Sequence, residues 1–465
     1  MRSFIIVGLV LASGGFAAAA CSSNVAGAPT SGAADAISPA TDTGMPLVES
    51  VPTYYQDIAP LYVRSCVGCH QAGGIAPFAL DSYESAKSHA LESSDEVARN
   101  RMPPYDVDSS GACGEFAGVL TLSAEQKAKL AKWVEAGTPP GERPLISPTP
   151  APVPTLVGGV DYMLPKFSPV REGGPLAEFD EYRCFAMPAN QAGKFITGYD
   201  VKVDNTKVLH HVIGTLVDPN APSRVSGKTN AQQMAALHAQ TPARDGWPCF
   251  TDAGEGVAVT GAPVNWAPGQ GVTEYPAGMG MGVGAGDVLV FQVHYNLADD
   301  ASLGSTDQST IALRFATSVE RRIVFSLKDK FLESAFFGAS MSIPAGQEAA
   351  SITWKARVSE LGLPSAPYVD LVQTMFHMHQ RGTKQTISIT QPGAAKQCIA
   401  RTEHFDFHWQ RFYTHKEPIR LTRQSLIDVE CVYNTKYETQ AVTPGWGTRN
   451  EMCLSGMMLA LPPGM

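Results

Sequence analysis

The chain has 465 residues, of which 44% are hydrophobic, and its formal net charge is −9. That length is enough for two or three domains. The negative charge argues against a nucleic-acid-binding protein, which would present a basic surface. Beyond the N-terminal segment, no stretch has the ~18 unbroken apolar residues that a transmembrane helix needs.

The first fifty residues have the composition of an export signal followed by a tether. Arg2 precedes the apolar run Phe4–Val10, and small residues then lead to Cys21. This order predicts a signal peptide over 1–20. A cysteine at this place resembles a bacterial lipobox, so we expect Cys21 to carry a lipid; ordinary cleavage with a free Cys21 is the alternative. Residues 21–51 are rich in Ala, Ser, Gly, Thr and Pro and predict a flexible tether.

These features predict an exported lipoprotein that is held at a membrane, in the periplasm or at the cell surface. The lipid anchor is the only membrane contact that we expect. An exported protein can keep disulfides, and nine cysteines are present. Six of them form an even set that could make three disulfides, with the pairing left open by the sequence: Cys113, Cys184, Cys249, Cys398, Cys431 and Cys453.

Cys66, Cys69 and His70 form the C-x-x-C-H signature of a covalently attached haem c. One helical turn brings both thiols to the two vinyl groups, and the histidine supplies an axial ligand. Redox or zinc chemistry is the alternative for such a cysteine pair. Met102, which precedes two prolines, is the predicted second axial ligand, and a Met/His pair raises the reduction potential and suits electron transfer. The alternative for Met102 is packing in a core.

A helix closes this segment. Ser123 is its predicted N-cap, Gln126 completes a capping box, and Gly137 ends the helix. Together with the GGIAPF and MPP motifs, the segment resembles the mono-haem cytochrome c modules that are fused to bacterial exported oxidoreductases. The resemblance implies a small α-helical cytochrome c domain over 52–140. The proline-rich residues that follow predict an extended linker over 141–165.

From about residue 160 the chain alternates short apolar runs with Gly, Pro, Asn and Asp, as in FITGYDVKV and DVLVFQVHYNL. Strands at this spacing indicate β-sandwiches. Because some 300 residues are too many for one such core, we predict two sandwich domains, over 166–318 and 319–465. A short helix is expected over Ala231–Gln240. The predicted fold is therefore mainly β, with two jelly-roll-like sandwiches after a small helical domain.

His377 and His379 lie at the end of an apolar run that predicts a buried strand. Residues two apart in a strand project from the same face, so both imidazoles can converge on one ion while Met378 points into a core. Two neutral imidazoles suit a borderline transition metal. The alternative is a pair of polar residues on a solvated strand face.

His210 and His211 are adjacent, so in a regular strand they would face opposite ways. They can share an ion only where the strand is distorted or at an edge, and otherwise one of them is a buried, hydrogen-bonded histidine. His294 lies in another apolar run. For three further histidines in an aromatic-rich segment we predict structural roles: His404, His408 and His415.

Four motifs, VLHHVIGTL, VFQVHYNL, MFHMHQRG and NEMC, occur in this order between about residues 180 and 460. Their order and spacing resemble the copper type II ascorbate-dependent monooxygenases. The resemblance implies two copper ions. One transfers an electron and would be held by His210, His211 and His294. The other binds dioxygen beside the C–H bond under attack and would be held by His377, His379 and Met452.

A thioether is a soft ligand that selects Cu(I) over zinc, which supports the second assignment. The resemblance also implies a disulfide between Cys431 and Cys453, which would pin the Met452 loop. Peptide-hydroxylating members of the family have an arginine where this chain has Met375 and a tyrosine where it has Gly456. A peptide is therefore not the expected substrate, and an apolar pocket favours an uncharged or apolar C–H donor.

The hypothesis is a copper-dependent monooxygenase that uses O2 to hydroxylate an aliphatic or benzylic C–H bond of a small substrate. Electrons would come from ascorbate or from a protein donor, and the fused cytochrome suggests delivery through the haem. The predicted cofactors are two copper ions and one covalent haem c. The alternative is a non-enzymatic, lipid-anchored protein that binds copper or relays electrons.

Overall fold

The structure is a computed structural model. It describes residues 50–71, 76–104, 107–118, 121–143, 155–171, 179–250, 252–267, 270–297, 299–336, 341–407, 409–445 and 449–465. Residues from Val51 to Met465 belong to one compact unit. The predicted signal peptide, Cys21 and nearly all of the tether lie outside the described residues. Within the described part of the chain, no helix has the length and apolar character to cross a membrane.

Helices make up the first part of the unit. A short π-helical turn, Tyr54–Ile58, leads into α1 (Ala59–Ser65), and α2 (Tyr83–Ser88), α3 (Ala90–Ala98) and α4 (Ala124–Glu135) follow. The predicted capping box of α4 is present, because the Ser123 hydroxyl accepts from the Gln126 amide and the Gln126 side chain accepts from the Ser123 amide. Ile58, Leu130 and Trp133 are fully or almost fully buried in the core of this helical module.

In the rest of the unit the regular secondary structure consists mainly of strands. These are β1 (Gly159–Met163), β2 (Asp180–Pro188), β3 (Phe195–Lys202), β4 (Leu209–Val217), β5 (Trp247–Pro248), β6 (Gly261–Trp266), β7 (Thr273–Glu274), β8 (Met279–Gly282), β9 (Val288–Asn296), β10 (Thr310–Ala316), β11 (Arg321–Lys328), β12 (Ala350–Arg357), β13 (Tyr368–His377), β14 (Gly382–Thr390), β15 (Gln397–Thr402), β16 (Phe412–Thr422), β17 (Leu426–Tyr433) and β18 (Leu454–Ala460). In the described part of the chain two α-helices interrupt them, α5 (Asn230–His238), which matches the predicted short helix, and α6 (Lys330–Phe336). The prediction of a mainly β protein is confirmed.

The strands form three sheets. A nine-stranded sheet has the order β1-β10-β3-β8-β11-β18-β13-β16, with β7 paired to β3; a four-stranded sheet has the order β12-β17-β14-β15, and a five-stranded sheet the order β5-β2-β9-β4-β6. The largest sheet runs from the first half of the β region (β1–β10) into the second half (β11–β18) through the parallel pair β8 and β11. The two halves therefore share one sheet, and the domain limits drawn from the sequence stay a prediction.

Strands β13 and β18 are buried on both faces, because each contributes to two cores. Leu371 and Met457 pack in the core of the second half, whereas Val372 and Met458 pack in the core of the first half. This explains why the sequences of both strands are nearly continuous runs of apolar residues, without the alternation of apolar and polar residues that a strand with one solvated face shows. It also places the ends of these strands, where His377 and Met452 lie, between the two halves.

The helical module is fixed to the second half by the segment that follows Pro104. Cys113 is disulfide-bonded to Cys398 on β15, with 4.9 Å between their Cα atoms. The amide of Asp108 donates to the Arg401 carbonyl oxygen at 2.7 Å, and the amide of Ala117 donates to the carbonyl oxygen of Thr414 on β16 at 2.9 Å. The module is therefore held by a covalent bond and by backbone hydrogen bonds, in addition to the predicted linker.

Candidate metal centres and haem cavity

His210 and His211 lie on β4, and His294 lies opposite them on β9. Leu209 pairs with Tyr295 and His211 with His294, so that His210 is an extra residue in a β-bulge. A bulge re-aims the side chains around it. This is the local distortion that two adjacent histidines need in order to face one ion.

The three histidines turn their Nδ1 atoms toward one another. The Nδ1 atom of His210 lies 3.4 Å from that of His211 and 3.1 Å from that of His294, and the last two are 3.2 Å apart. A metal ion bound in the plane of three nitrogens at about 2.0 Å would hold those nitrogens about 3.5 Å apart. The triangle therefore has nearly the size that a three-coordinate ion requires, and these residues fit a bound copper ion.

One feature orients His294, and another keeps His211 neutral. His294 donates its Nε2–H to Asp180 Oδ1 at 3.0 Å, which leaves the Nδ1 lone pair for the centre of the triangle. The same oxygen accepts from Asn296 Nδ2 at 2.8 Å. Burial, and then the neighbouring imidazoles, hold the pKa of His211 well below its ordinary value. Neutral imidazoles are the form that binds a metal.

His377 ends β13, and His379 follows two residues later. Met378, between them, is fully buried in the core of the second half, in agreement with the predicted alternation. His377 donates Nδ1–H to Gln410 Oε1, and His379 donates Nδ1–H to the Asn450 carbonyl oxygen at 3.0 Å. Each ring therefore keeps its Nε2 lone pair for a metal. Burial lowers the pKa of His377 to about 4, with the hydrogen bond to Gln410 opposing.

Met452 is 2% exposed and is held beside these histidines by its chain neighbours. Glu451 accepts from the amide of His379 and from the amide of Arg381, both at 2.8 Å. Cys453 is disulfide-bonded to Cys431, with 5.8 Å between the Cα atoms. Glu451 therefore links the His379 backbone to the loop that carries Met452. Glu451 belongs to the NEMC motif, but no role for it was predicted from the sequence.

The two sets of predicted ligands face one cavity of about 90 Å³, which we name the copper cavity after the ions that the sequence predicts there. His211 and His294 line one side, and His377, His379 and Met452 line the other. A single cavity is therefore lined by five of the six predicted copper ligands. The sixth, His210, contacts its wall, because its ring stacks on the Phe407 ring with centroids 5.3 Å apart.

The cavity wall beside Met452 is apolar, as predicted. Leu327, Met375 and Leu454 line it, and Met375 pairs with Gly456 across the two strands. A Cβ atom on Gly456 would lie 3.0 Å from Met375 Cε, so the methionine fills the space that a larger residue there would need. Met457, the residue after Gly456 on β18, does not line the cavity and packs in the core of the second half.

The opposite wall carries groups that the sequence did not single out. Tyr182 and Phe250 supply aromatic surface, and Asp252 supplies a carboxyl group. Burial raises the pKa of Asp252, while the positive charge of Arg224 opposes the shift. No local motif marks Asp252, because its place in the cavity depends on the packing of the two halves of the β region.

A second cavity, of about 350 Å³, lies at the end of α1. Cys66 and Cys69, which are free cysteines in the described part of the chain, line it with His70 and Met102. The amide of His70 donates to the Cys66 carbonyl oxygen at 2.9 Å, so the motif continues the helical turn. Residues 72–75, which contain the first three residues of the GGIAPF motif, lie outside the described residues. We name this space the haem cavity, after the group that the sequence predicts for it.

The side chains around the haem cavity fit a covalent haem c. His70 donates Nδ1–H to the Phe78 carbonyl oxygen at 3.0 Å, which leaves Nε2 as the free ligand atom. Both thiols are uncommitted, and burial raises the pKa of Cys66 to about 12. The Met102 thioether, 37% exposed, lies on the wall of the same cavity.

The remaining histidines of the aromatic-rich segment separate into different places. His415 is buried, with its ring 4.8 Å from the Phe116 ring and its Nε2 3.4 Å from Thr374 Oγ1. His404 is exposed. His408 lies outside the described residues. Neither His404 nor His415 joins the histidine triangle or the His377, His379 and Met452 set.

Comparison with protein-family models gives a match in the second half of the β region. Residues 332–460 match the family model described as copper type II ascorbate-dependent monooxygenase, C-terminal domain. The match includes His377, His379 and Met452. It ends where β18 ends, and it leaves the first half of the β region and the helical module outside.

Curated relatives are similar over a comparable length. Dopamine beta-hydroxylase from Rattus norvegicus is 24% identical over 195 residues, which is 41% of this chain and 30% of that protein. Tyramine beta-hydroxylase from Caenorhabditis briggsae is 24% identical over 194 residues, 41% of this chain and 32% of that protein. DBH-like monooxygenase protein 1 from Homo sapiens is 25% identical over 197 residues, 42% of this chain and 32% of that protein. The alignments thus span about a third of each relative.

Among solved structures, a chain of the cowpea mosaic virus top component is 8% identical and covers 63% of this chain and 91% of that chain. Its TM-score is 0.24, so the likeness carries no argument about this protein.

Proposed function

We propose that this protein is a copper-dependent monooxygenase that uses O2 to hydroxylate an aliphatic or benzylic C–H bond of a small molecule. The observation that carries the proposal is the single cavity between the histidine triangle and the His377, His379 and Met452 set. Three nitrogens suit copper in both oxidation states, and a thioether with two imidazoles selects Cu(I). The family match over 332–460 supports the same assignment.

The reaction consumes one O2, two electrons and two protons, and gives one hydroxylated product and one water. Bound copper ions would supply the two electrons and activate O2. The residues of the chain hold the ligands in place: Asp180 fixes the tautomer of His294, and Gln410 fixes that of His377. Leu327, Met375 and Leu454 exclude water from the side of the cavity where Met452 lies.

We propose that the substrate carries an aromatic or other apolar body and, unlike the uncharged donor that the sequence favoured, a cationic amine, because Asp252 lines the cavity. The apolar body would lie against Met375 and Leu454, and the amine would face Asp252. An ammonium group beside Asp252 would offset the cost of ionising a buried carboxyl group. Dopamine and tyramine, which the names of the relatives give, are the first compounds to test.

We further propose that the helical module carries one covalent haem c, with thioether bonds to Cys66 and Cys69 and with His70 and Met102 as axial ligands. The free thiols, the hydrogen-bonded His70 and the cavity in front of them support this proposal. Such a haem would accept electrons from a protein donor, with ascorbate as an alternative reductant. Export and a lipid anchor on Cys21 are part of the proposal and rest on the sequence alone.

The first experiment counts copper and haem per chain in wild type and in Met452→Ile. We expect two coppers and one haem in wild type, and one copper and one haem in the variant, because the triangle is intact. Met457→Ile is the matched control: this methionine is as deeply buried but does not line the cavity, so the variant should keep two coppers.

The activity assay then uses ascorbate and measures hydroxylated product from dopamine and tyramine. Wild type should form product, and Met452→Ile should form none. Zinc in place of copper, or copper binding that is indifferent to Met452, would instead favour a non-enzymatic metal-binding or electron-relay protein.

A further inference from the structure

The segment Glu403–Arg411, between β15 and β16, forms part of the wall of both cavities. We name it the shared-wall loop. Asp406 and Trp409 line the haem cavity, whereas Phe407 and Gln410 line the copper cavity. In each of two pairs of consecutive residues, Asp406–Phe407 and Trp409–Gln410, the first residue therefore lines the haem cavity and the second lines the copper cavity. One peptide bond separates the wall of the haem cavity from the wall of the copper cavity at each place.

On the copper side, the loop contacts ligands of both predicted sites. Gln410 Oε1 accepts the Nδ1–H of His377, and Gln410 Nε2 donates to the Phe407 carbonyl oxygen at 2.8 Å. The Phe407 ring lies between two ligand rings, with its centroid 5.3 Å from that of His210 and 5.9 Å from that of His379. Phe407 thus bridges the two sets of copper ligands, and Gln410 contacts one of them directly.

On the haem side, the loop lies against the C-x-x-C-H segment. Trp409 packs on the core of the second half, which fixes its ring at the wall of the haem cavity. The Arg411 guanidinium lies 6.0 Å from the centroid of the Trp409 ring.

The strands on either side of the loop hold the helical module. The disulfide between Cys113 and Cys398 joins the module to β15, and an ion pair joins Asp108 to Arg401 on the same strand. On the other side of the loop, Phe116 forms an isolated β-bridge with His415 on β16. The contact between the loop and the haem cavity is therefore built into the folded unit.

We propose that Trp409 and Gln410 form the path by which a haem in the haem cavity exchanges an electron with a copper ion held by His377. The path consists of the Trp409 ring, one peptide link and the hydrogen bond from His377 to Gln410. One electron passes: haem iron goes from ferrous to ferric, copper goes from cupric to cuprous, and no covalent bond forms or breaks. This inference rests on the proposed function, including the covalent haem.

The test follows one electron inside the fully loaded, oxidised protein, without O2 and without substrate. A pulse of reductant gives less than one electron per chain, and the haem absorbance and the cupric EPR signal are recorded over time. We expect the haem to become reduced first and then to reoxidise while the cupric signal falls. The rate of reoxidation should not depend on protein concentration, because the transfer is intramolecular.

Trp409→Leu should slow this reoxidation by about tenfold, the change in rate that ~1.4 kcal/mol of activation free energy produces. Phe405→Leu is the matched control. Phe405 is an aromatic residue of the same loop that packs on the same core but lines neither the haem cavity nor the copper cavity. Its variant should reoxidise at the wild-type rate. Haem and copper contents are measured in every variant.

Several results would overturn the inference. A wild-type haem that stays ferrous beside cupric copper would show that no path exists, even if ascorbate-driven hydroxylation proves the copper function. An equal rate in Trp409→Leu and wild type would remove Trp409 from the path. A rate that rises with protein concentration would make the transfer intermolecular. A protein without covalent haem fails at the earlier step, since its denatured spectrum would lack haem absorbance while its copper sites could still be assayed.

Discussion

Asp180 is the side chain by which the proposed role of the histidine triangle can be tested without removing a ligand. Its Oδ1 atom accepts from His294 Nε2 at 3.0 Å, and both side chains are almost completely buried. Asp180→Leu removes the acceptor and leaves the Nε2–H without it. Asp180→Asn can keep an acceptor oxygen but loses the negative charge. The pair of variants therefore separates the hydrogen bond from the charge.

The expected loss of copper affinity follows from what Asp180 does for His294. The carboxylate fixes the tautomer whose Nδ1 lone pair points into the triangle, and it makes that nitrogen a stronger donor to a metal. Loss of such a partner costs about 10–100-fold in metal affinity, or about 1.4–2.7 kcal/mol. We expect Asp180→Asn at the lower end and Asp180→Leu at the upper end, where a buried N–H also loses its acceptor.

The assay is an anaerobic competition for Cu(I) between the protein and a chelator of known affinity. The Asp180 variants are also made in the Met452→Ile protein, in which only the copper site of the three histidines is expected to remain. Asp161→Asn is the matched control, because Asp161 is half exposed on β1 and pairs with Lys202 at 2.9 Å, away from the cavity. If both Asp180 variants bind copper as tightly as wild type, His294 does not need this carboxylate, and the reasoning from the triangle is wrong.

Three further predictions concern substrate, disulfide and pH. Asp252→Asn should raise the KM for tyramine by about tenfold or more, since a charge-assisted hydrogen bond contributes about 1.5–3 kcal/mol, and should leave the KM of an uncharged analogue unchanged. Replacing both Cys113 and Cys398 with Ser should lower the free energy of unfolding by about 2–4 kcal/mol, measured by denaturant titration. Burial lowers the pKa of His415 from 6.5 to about 4, so the unfolded chain binds this proton first. The contribution of His415 to the free energy of unfolding is therefore complete above pH 6.5 and falls by roughly 3 kcal/mol as the pH drops to about 4. His415→Leu should lack this part of the pH dependence. If the free energies of unfolding of wild type and variant differ by the same amount at every pH in this range, the prediction is wrong.

Features that follow from the spacing of residues within one strand or one helix were predictable from the sequence. The alternation of His377, Met378 and His379 follows from the two-residue period of a strand, and Met378 is buried in a core as that period requires. The capping box of α4 followed from the spacing of Ser123 and Gln126, which is a local signal as well. Short strands at regular intervals were enough to predict a mainly β protein.

Features that depend on contacts between distant segments were not predictable from these signals. The strand period alone places His210 and His211 on opposite faces, and the bulge that brings them together is defined only by the pairing of β4 with β9. Asp180 lies 114 residues before the His294 that it orients. Gln410 lies 33 residues after His377. Such pairs leave no periodic mark in the sequence.

The disulfides fall between these two cases. Six cysteines in a chain with a predicted export signal indicated three disulfide bonds, and three are present among the described residues. The pair next to Met452 was implied by family resemblance, but the other two pairings were left open. The bond from Cys113 to Cys398 spans 285 residues and joins segments that no local pattern relates. Only the packing of the helical module on β15 defines it.

That bond bears on how the haem cavity and the copper cavity are combined in one chain. A module attached only through a proline-rich linker would sample many positions, and a contact between its haem and the copper ligands would form only part of the time. Here Cys113–Cys398, the Asp108–Arg401 pair and the Ala117–Thr414 hydrogen bond hold the module on both strands that flank the shared-wall loop. Because Trp409 completes the haem cavity from the side of the copper sites, the position of one cavity determines that of the other. The two redox functions proposed for this chain therefore share one rigid wall, and a change in that wall should affect electron exchange without removing a ligand from either site.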